Sequence, residues 1–354
     1  MTETQKKEID TVKDLRSMTI GELKSELKEA GFPAFRADQL YRWLHVQIVR
    51  SYDEMTNLPR NLIQYLEEHY ILSGARMADR QISALDGTQK FLFAMRDNCL
   101  VESVLMKYHY GNTICISSQV GCRMGCSFCA STLDGLERNL LPGEMLEQIY
   151  EIRRQTGEKI SHIVVMGTGE PLDNYDNLVR FLHLVSDENG MNLSQRSITV
   201  STCGLAERIM DLAGEQLSIT LAISLHAVTD EKRRQIMPVA NRYSIEELMR
   251  ACTGYFDKTG RRITFEYSLI HGVNDLKEDA VGLTALAKRV HAHVNLIPVN
   301  PVAERGYERP TDAHVQAFKM ELEKSGINVS IRRALGRDID GACGQLRHRQ
   351  LSCC

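Results

Sequence analysis

The spacing of apolar and polar positions changes character along the chain. Up to about residue 85 the apolar residues recur at helical intervals. "TIGELKSELKEAGF" (19–32) has Gly31 and Pro33 as a stop, and "ADQLYRWLHVQIV" (37–49) and "LPRNLIQYLEEHYIL" (58–72) repeat the pattern. A small helical domain over residues 1–85 is predicted. "QKFLFAM" and "CLVESVLMKY" then flank the turn-like "RDN", which predicts a β-hairpin cover over residues 86–110. From residue 111 to 354 short apolar runs alternate with amphipathic ones. The strands expected are "TICISS", "SHIVVMG", "RSITVST", "SITLAISL", "RITFEYSLI" and "HVNLIPV". Helical stretches at 142–155, 174–187, 204–214, 244–258 and 276–290 lie between them. Such alternation implies a parallel sheet with right-handed crossovers, and six βα units fit an α/β fold of the partial β/α barrel type. Chemistry in barrels of this kind sits at the C-terminal ends of the strands.

Composition narrows the setting. With 354 residues, 43% hydrophobic and 25% charged, the chain can build one large domain or a large and a small one. No apolar run approaches the roughly 20 residues that span a bilayer, and "MTETQKKEID" does not read as a signal peptide. A cytoplasmic location and a monomer are expected. In that reducing compartment ten cysteines point to metal or catalytic chemistry before a disulfide scaffold. A net charge of −3 does not advertise nucleic-acid binding, so any RNA surface must be local. Arg332, Arg333, Arg337, Arg347 and Arg349 form one basic run; taken alone, it reads as a solvated face. Lys24, Lys28, Arg36 and Arg42 mark the helical domain as a candidate RNA grip, among several acidic residues.

After the first barrel strand come Cys122, Cys126 and Cys129 at C-x3-C-x2-C spacing, with Gly121 and Gly125 letting the loop fold tightly. Three thiolates in one loop suit zinc or an iron–sulfur cluster. A closed zinc site would want a second ligand pair at finger-like spacing, which is missing from the sequence. A cluster held by three thiolates keeps one metal position open for a cosubstrate.

The loop, with Phe128 before Cys129, resembles the radical S-adenosylmethionine superfamily, and "MGTGEP" (166–171) resembles its segment facing the cosubstrate's amino group. "CISSQVGC", "VSTCG", "AISLHA", "NLIPVNP" and "DIDGACGQL" together resemble the RlmN family of RNA methyltransferases over nearly the whole chain. The resemblance implies a 4Fe–4S cluster on Cys122, Cys126 and Cys129. Two molecules of S-adenosylmethionine per turnover would meet Gly169, Glu170, Ser201, Ser224, Leu225, His226 and Asn300. Taken singly, a serine at a strand end is usually a helix cap and His226 a satisfied core histidine; as a set at successive strand ends they read as a site. Thr168 stands where related sequences more often carry Met or Ile.

The implied reaction methylates carbon 2 of an adenosine in 23S rRNA and of adenosine 37 in some tRNAs, with a cellular electron donor such as flavodoxin. Cys343, in a loop made mobile by Gly341 and Gly344, would carry the methyl group, Cys115 would resolve the protein–RNA adduct, and Glu102 would take the ring proton. A strand glutamate facing solvent is the plainer reading of Glu102. Two alternatives stay open: methylation of carbon 8, as in the relative Cfr, and a non-catalytic zinc-stabilised RNA-binding protein. Cys99, Cys203 and Cys252 read as small buried hydrophobes. Cys353 and Cys354 have no assigned task.

Overall fold

The computed structural model describes residues 13–346. Arg347, Arg349, Cys353 and Cys354 lie outside the described residues. Strand β1 (Lys13–Asp14) leads into helices α1 (Ile20–Glu29), α2 (Phe35–His45) and α3 (Arg60–His69), and β2 (Tyr70–Ile71) returns to pair with β1 in parallel. Helix α1 starts where the sequence can satisfy its free amides. Thr19 accepts from the Glu22 N–H, and the Glu22 carboxylate accepts from the Thr19 N–H at 2.8 Å.

Next come β3 (Arg76–Ile82), β4 (Gln89–Ala94), β5 (Leu100–Tyr108) and β6 (Gly111–Ile116), all antiparallel neighbours. Thus the expected hairpin is continuous with the main sheet. Strand texture also begins at residue 76, ahead of the change expected near residue 85. Strand β3 has no apolar alternation because it is the sheet's edge; its side chains are mostly exposed or half-buried, and pairing with β4 alone makes it a strand.

A small ladder, β7 (Gln119–Gly121) with β8 (Leu136–Asn139), brackets the cysteine loop. The barrel proper follows: α4 (Pro142–Thr156), β9 (Ile160–Val165), α5 (Tyr175–Ser186), β10 (Ile198–Thr202), α6 (Ala206–Gly214) and β11 (Thr220–Ser224). It continues with α7 (Asp230–Ile236), α8 (Ile245–Thr259), β12 (Thr264–Leu269), α9 (Lys277–Arg289), β13 (His293–Pro298), α10 (Asp312–Lys324) and β14 (Val329–Ile331). The ten-stranded sheet runs β14-β13-β12-β11-β10-β9-β6-β5-β4-β3, and the six predicted strands sit in it consecutively and in parallel. An open α/β sheet of this order is the predicted partial barrel. Its strands are Ile-, Val- and Leu-rich because helices cover one face and the barrel interior fills the other.

The helical unit is fastened to the barrel through a buried cation. Arg16, fully buried, donates to the carbonyls of Ser73 and Leu44 at 2.8 Å and to that of Val49. It also pairs with Glu147 of α4 at 2.9 Å, and Arg154 reaches the same carboxylate at 2.6 Å.

Candidate active site

At the C-terminal ends of the parallel strands a cavity enclosing about 960 Å³, open mouth included, is lined by Cys122, Cys126 and Cys129 together with Gly169, Glu170, Ser201, Ser224, His226, Asn300 and Cys343. The cysteine loop can make its turns because Gly121 (φ 72°) lies so close to the Gly135 carbonyl that a Cβ would be 1.9 Å from it, and Gly125 (φ 71°) turns the loop again. Burial pushes the Cys122 thiol up to about 12 and Cys126 well above its ordinary value, and neighbouring thiols add to both. A cationic centre reverses that balance by holding the sulfurs as thiolates. Among the described residues no three His, Cys, Asp or Glu side chains converge on a position for a single ion. Three soft sulfur donors lining one cavity fit a cluster that brings its own sulfide.

The "MGTGEP" glycines serve packing against the first strand's continuation. A Cβ on Gly167 would lie 2.7 Å from the Ile116 carbonyl, and one on Gly169 (φ 110°) 2.7 Å from Gln119 Cβ and Ser118 Oγ. Thr168 closes the same junction, its carbonyl accepting from the Ser118 and Gln119 amides. Glu170 is buried, and each carboxylate oxygen accepts one backbone N–H: Leu172 at 3.0 Å and Cys203 at 2.7 Å. Burial raises its carboxyl pKa against those bonds. The Thr202 and Cys203 side chains also hydrogen-bond the carboxylate.

His226 sits at φ 56° and accepts the Ser268 N–H on Nδ1 at 2.8 Å, which leaves its proton on Nε2. Burial, aided by Arg233, pushes its pKa down to about 3, so the ring is a neutral donor, edge-on to Phe128. Ser201 and Ser224 hydroxyls meet at 3.3 Å. Leu225 differs from the rest of the expected set: its side chain is fully buried in the core and does not line the cavity. Its backbone is engaged as well: the N–H donates to the Glu266 carbonyl at 3.1 Å, and the carbonyl accepts from the Ala227 N–H at 2.8 Å and from Arg233 Nε at 3.1 Å.

A second cavity, enclosing about 490 Å³, adjoins the first and is lined by Cys115, Cys343, Val104, Met106, Asn300 and Arg332. Cys343 and Asn300 line both. Burial first, and the Cys343 thiol second, push Cys115 up to about 12. The Cys343 segment is hydrogen-bonded on both flanks. Upstream, Asp86 accepts from the Gly336 N–H at 3.0 Å, and Asp338 accepts from Ser83 Oγ at 2.7 Å and the Ala84 N–H at 2.9 Å. Downstream, the Gly344 carbonyl accepts from the Ala130 N–H at 2.8 Å and that of Leu346 from Ser131 Oγ at 3.0 Å. Asn300 donates to the Cys343 carbonyl at 3.1 Å.

Glu102 on β5 is buried and ion-paired with Lys90 at 3.4 Å, so the solvent-facing alternative does not hold. It shares a strand face with Val104 and Met106, which line the second cavity. Sequence reasoning missed two charged residues of the site. Glu266 lines the first cavity and Arg332 both; Arg332 is therefore no part of a solvated face, whereas Arg333 and Arg337 are exposed. A glutamate inside the otherwise apolar "RITFEYSLI" was the available signal. Among the other cysteines, Cys203 and Cys252 are buried, but half-buried Cys99 donates to Asp97 at 3.2 Å and Glu137 at 3.3 Å.

Residues 116–283 match the radical SAM superfamily, and residues 13–72 the ribosomal RNA large subunit methyltransferase N-terminal domain. The chain is 56% identical, over 96% of its length and 97% of the relative's, to a probable dual-specificity RNA methyltransferase RlmN of Lachnospira eligens. It belongs to the RlmN family. A relative of the same description from Lachnoclostridium phytofermentans is 55% identical over 94% of both chains. The crystal structure of a radical SAM methyltransferase from Sphaerobacter thermophilus superposes with a TM-score of 0.90 at 42% identity, covering 95% of this chain and 99% of that one. RlmN membership makes the chain a radical methyltransferase with a 4Fe–4S cluster and S-adenosylmethionine as its cofactors. Among the described residues no helix is long and apolar enough to cross a membrane.

Proposed function

We propose that the chain methylates carbon 2 of an adenosine in the peptidyl transferase region of 23S rRNA and of adenosine 37 in a subset of tRNAs, through a methyl group first carried on Cys343. The observation that carries this reading is that Cys343 lines both the cofactor cavity and the smaller one that Cys115 enters. Carbon 2 of adenine lies between two electron-withdrawing nitrogens and is a poor nucleophile, so direct displacement of methyl from a sulfonium fails there. A sulfur that takes the methyl group first, and offers it as a radical afterwards, answers that difficulty.

Cys122, Cys126 and Cys129 would hold the cluster. With S-adenosylmethionine bound, it supplies one-electron cleavage of the sulfonium and so a carbon radical. Glu170 would accept from the cosubstrate's ammonium group, and Ser201, Ser224, Asn300 and the His226 Nε2–H would orient the rest, with Leu225 packed in the core behind them. Cys343 is the nucleophile toward one cosubstrate molecule and the tether for RNA after a second has been used. Glu102, paired with Lys90 at 3.4 Å, would receive the proton from the substituted ring carbon. Cys115 would then attack the Cys343 sulfur, releasing RNA and leaving a disulfide for cellular thiols to reduce. The helical unit would grip structured RNA; Lys24 and Arg36 there face Asp38 and Gln39, while Lys28 and Arg42 are exposed. A cytoplasmic monomer reduced by a donor such as flavodoxin completes the proposal.

The test is nucleoside mass spectrometry on rRNA and tRNA from cells lacking their own enzyme, with and without this gene. Appearance of 2-methyladenosine in both RNAs is expected. Appearance of 8-methyladenosine, or of neither product, overturns the assignment.

A further inference from the structure

Arg332, immediately after β14, is placed unlike the buried cations that fasten the helical unit. Arg16 and Arg154 each meet a carboxylate within 2.9 Å. The Arg332 side chain is 17% exposed, yet Glu266 Oε2 stands 3.8 Å from its Nη1, beyond hydrogen-bond reach. Its Nη1 donates instead to the Met166 sulfur at 3.2 Å, a weak acceptor. A desolvated guanidinium with so loose a carboxylate partner keeps much of its field for other anions.

The loose partner is itself held firmly. Asn295 Nδ2 donates to Glu266 Oε2 at 2.8 Å, Ser330 Oγ donates to Asn295 Oδ1 at 2.9 Å, and His293 Nε2 meets Ser330 Oγ at 2.8 Å. The Arg332 amide is fixed to the Leu296 carbonyl at 2.8 Å. This chain sets both ends of the ion pair, so the guanidinium stays at the boundary of the two cavities, with Cys343 lining each and Cys115 the smaller.

We propose that Arg332, aimed by the Glu266 chain, is a positioning residue that stabilises anionic sulfur first at Cys343 and then at Cys115, so that one cation serves two successive nucleophiles. The proposal rests on the reading of Cys343 and Cys115 given above. In the first step Cys343 releases its proton to solvent; its sulfur bonds to the methyl carbon as the sulfonium S–C bond breaks, and S-adenosylhomocysteine leaves. In the second, deprotonated Cys115 forms an S–S bond to Cys343 as the S–C bond to the RNA-borne carbon breaks. That carbon keeps the electron pair and takes up a proton, becoming the product methyl. The negative charge raising the Arg332 pKa comes first from Cys343, then from Glu266, Cys115 and Tyr108, against burial. Around the sulfurs the charged and titratable groups are Tyr108, Glu266, Cys129, Arg332 and Arg333.

The experiment is iodoacetamide alkylation of Cys343 against pH, read by peptide mass spectrometry on cluster-reconstituted protein never exposed to S-adenosylmethionine. Neither RNA nor methyl product enters this readout, so it stands apart from the RNA assay above. Arg332→Gln is expected to move the alkylation midpoint up by about one pH unit, a roughly tenfold loss of reactive thiolate at pH 7, and Arg332→Lys to restore most of it. The double variant Arg332→Met with Glu266→Gln removes both buried charges without orphaning either, and a smaller upward shift is expected because the Glu266 anion goes with the cation. A midpoint matching wild type in any folded variant lacking the cation overturns the proposal, as does a lysine variant that behaves like glutamine.

Discussion

Replacing Arg16 by glutamine tests whether the helical unit and the barrel are one cooperative structure. The guanidinium supplies three hydrogen bonds to carbonyls of the helical unit and its flanking segment, plus one ion pair to α4, all without contact to water. Glutamine can replace at most two of those donor contacts. It also leaves Glu147, 1% exposed, with Arg154 as its remaining cation. Breaking a buried pair by removing one partner costs about 3–5 kcal/mol, and an unsatisfied carbonyl about 1–3 kcal/mol more. Arg154 relieves part of the first cost, so a loss of about 4 kcal/mol is expected, a large share of the 5–15 kcal/mol typical of a whole fold. Urea unfolding followed by circular dichroism measures it, with limited proteolysis reporting whether residues 13–72 detach. A change below about 1 kcal/mol, or proteolysis identical to wild type, would refute the assignment of Arg16 as the clamp.

Other expectations concern the site and its acid behaviour. Cys343→Ala should abolish methyl transfer while the protein keeps its cluster absorbance. Cys115→Ala should accumulate protein covalently joined to RNA, and in wild type the release step should accelerate with rising pH, because burial pushes that thiol up to about 12; pre-steady-state adduct decay checks both. Gly167→Ala should weaken S-adenosylmethionine binding about tenfold by calorimetry, since the new Cβ meets the backbone carbonyl of Ile116 at 2.7 Å, and backbone cannot swing aside. Burial, with help from Arg16 and Arg233, pushes His45 and His226 down to about 3. The folded chain therefore binds fewer protons than the unfolded one between about pH 6.5 and 3, and stability present above 6.5 is lost as pH falls through that window. The slope is up to about 1.4 kcal/mol per pH unit for each ring, and His45→Gln should flatten it in urea melts between pH 7 and 5.

What could be read without coordinates was whatever depends on local pattern. The six barrel strands were legible because each is a short Ile-, Val- or Leu-rich run closed by a turn, and the cysteine loop because its three cysteines sit within eight residues. Strand β3 was hidden because an edge strand exposes both faces and so carries no apolar period. Arg332 and Glu266 lie 66 residues apart; the glutamate within a strand run is the one local sign, and Arg332 has none. Only the parallel register of β12, β13 and β14 brings them to one cavity. Leu225 shows the opposite failure, since a residue in a matching motif was expected to face the ligand and its side chain packs the core instead.

The fastening of the Cys343 segment bears on how the protein matures. Its downstream flank is held by Ala130 and Ser131, the two residues directly after the last cysteine of the three-cysteine loop. On the roles proposed above, a cluster held by that loop would stand next in line to the segment that presents Cys343. Loss of the cluster is then expected to disturb the seating of Cys343 as well as the electron chemistry, and alkylation of Cys343 with and without reconstituted iron would register it.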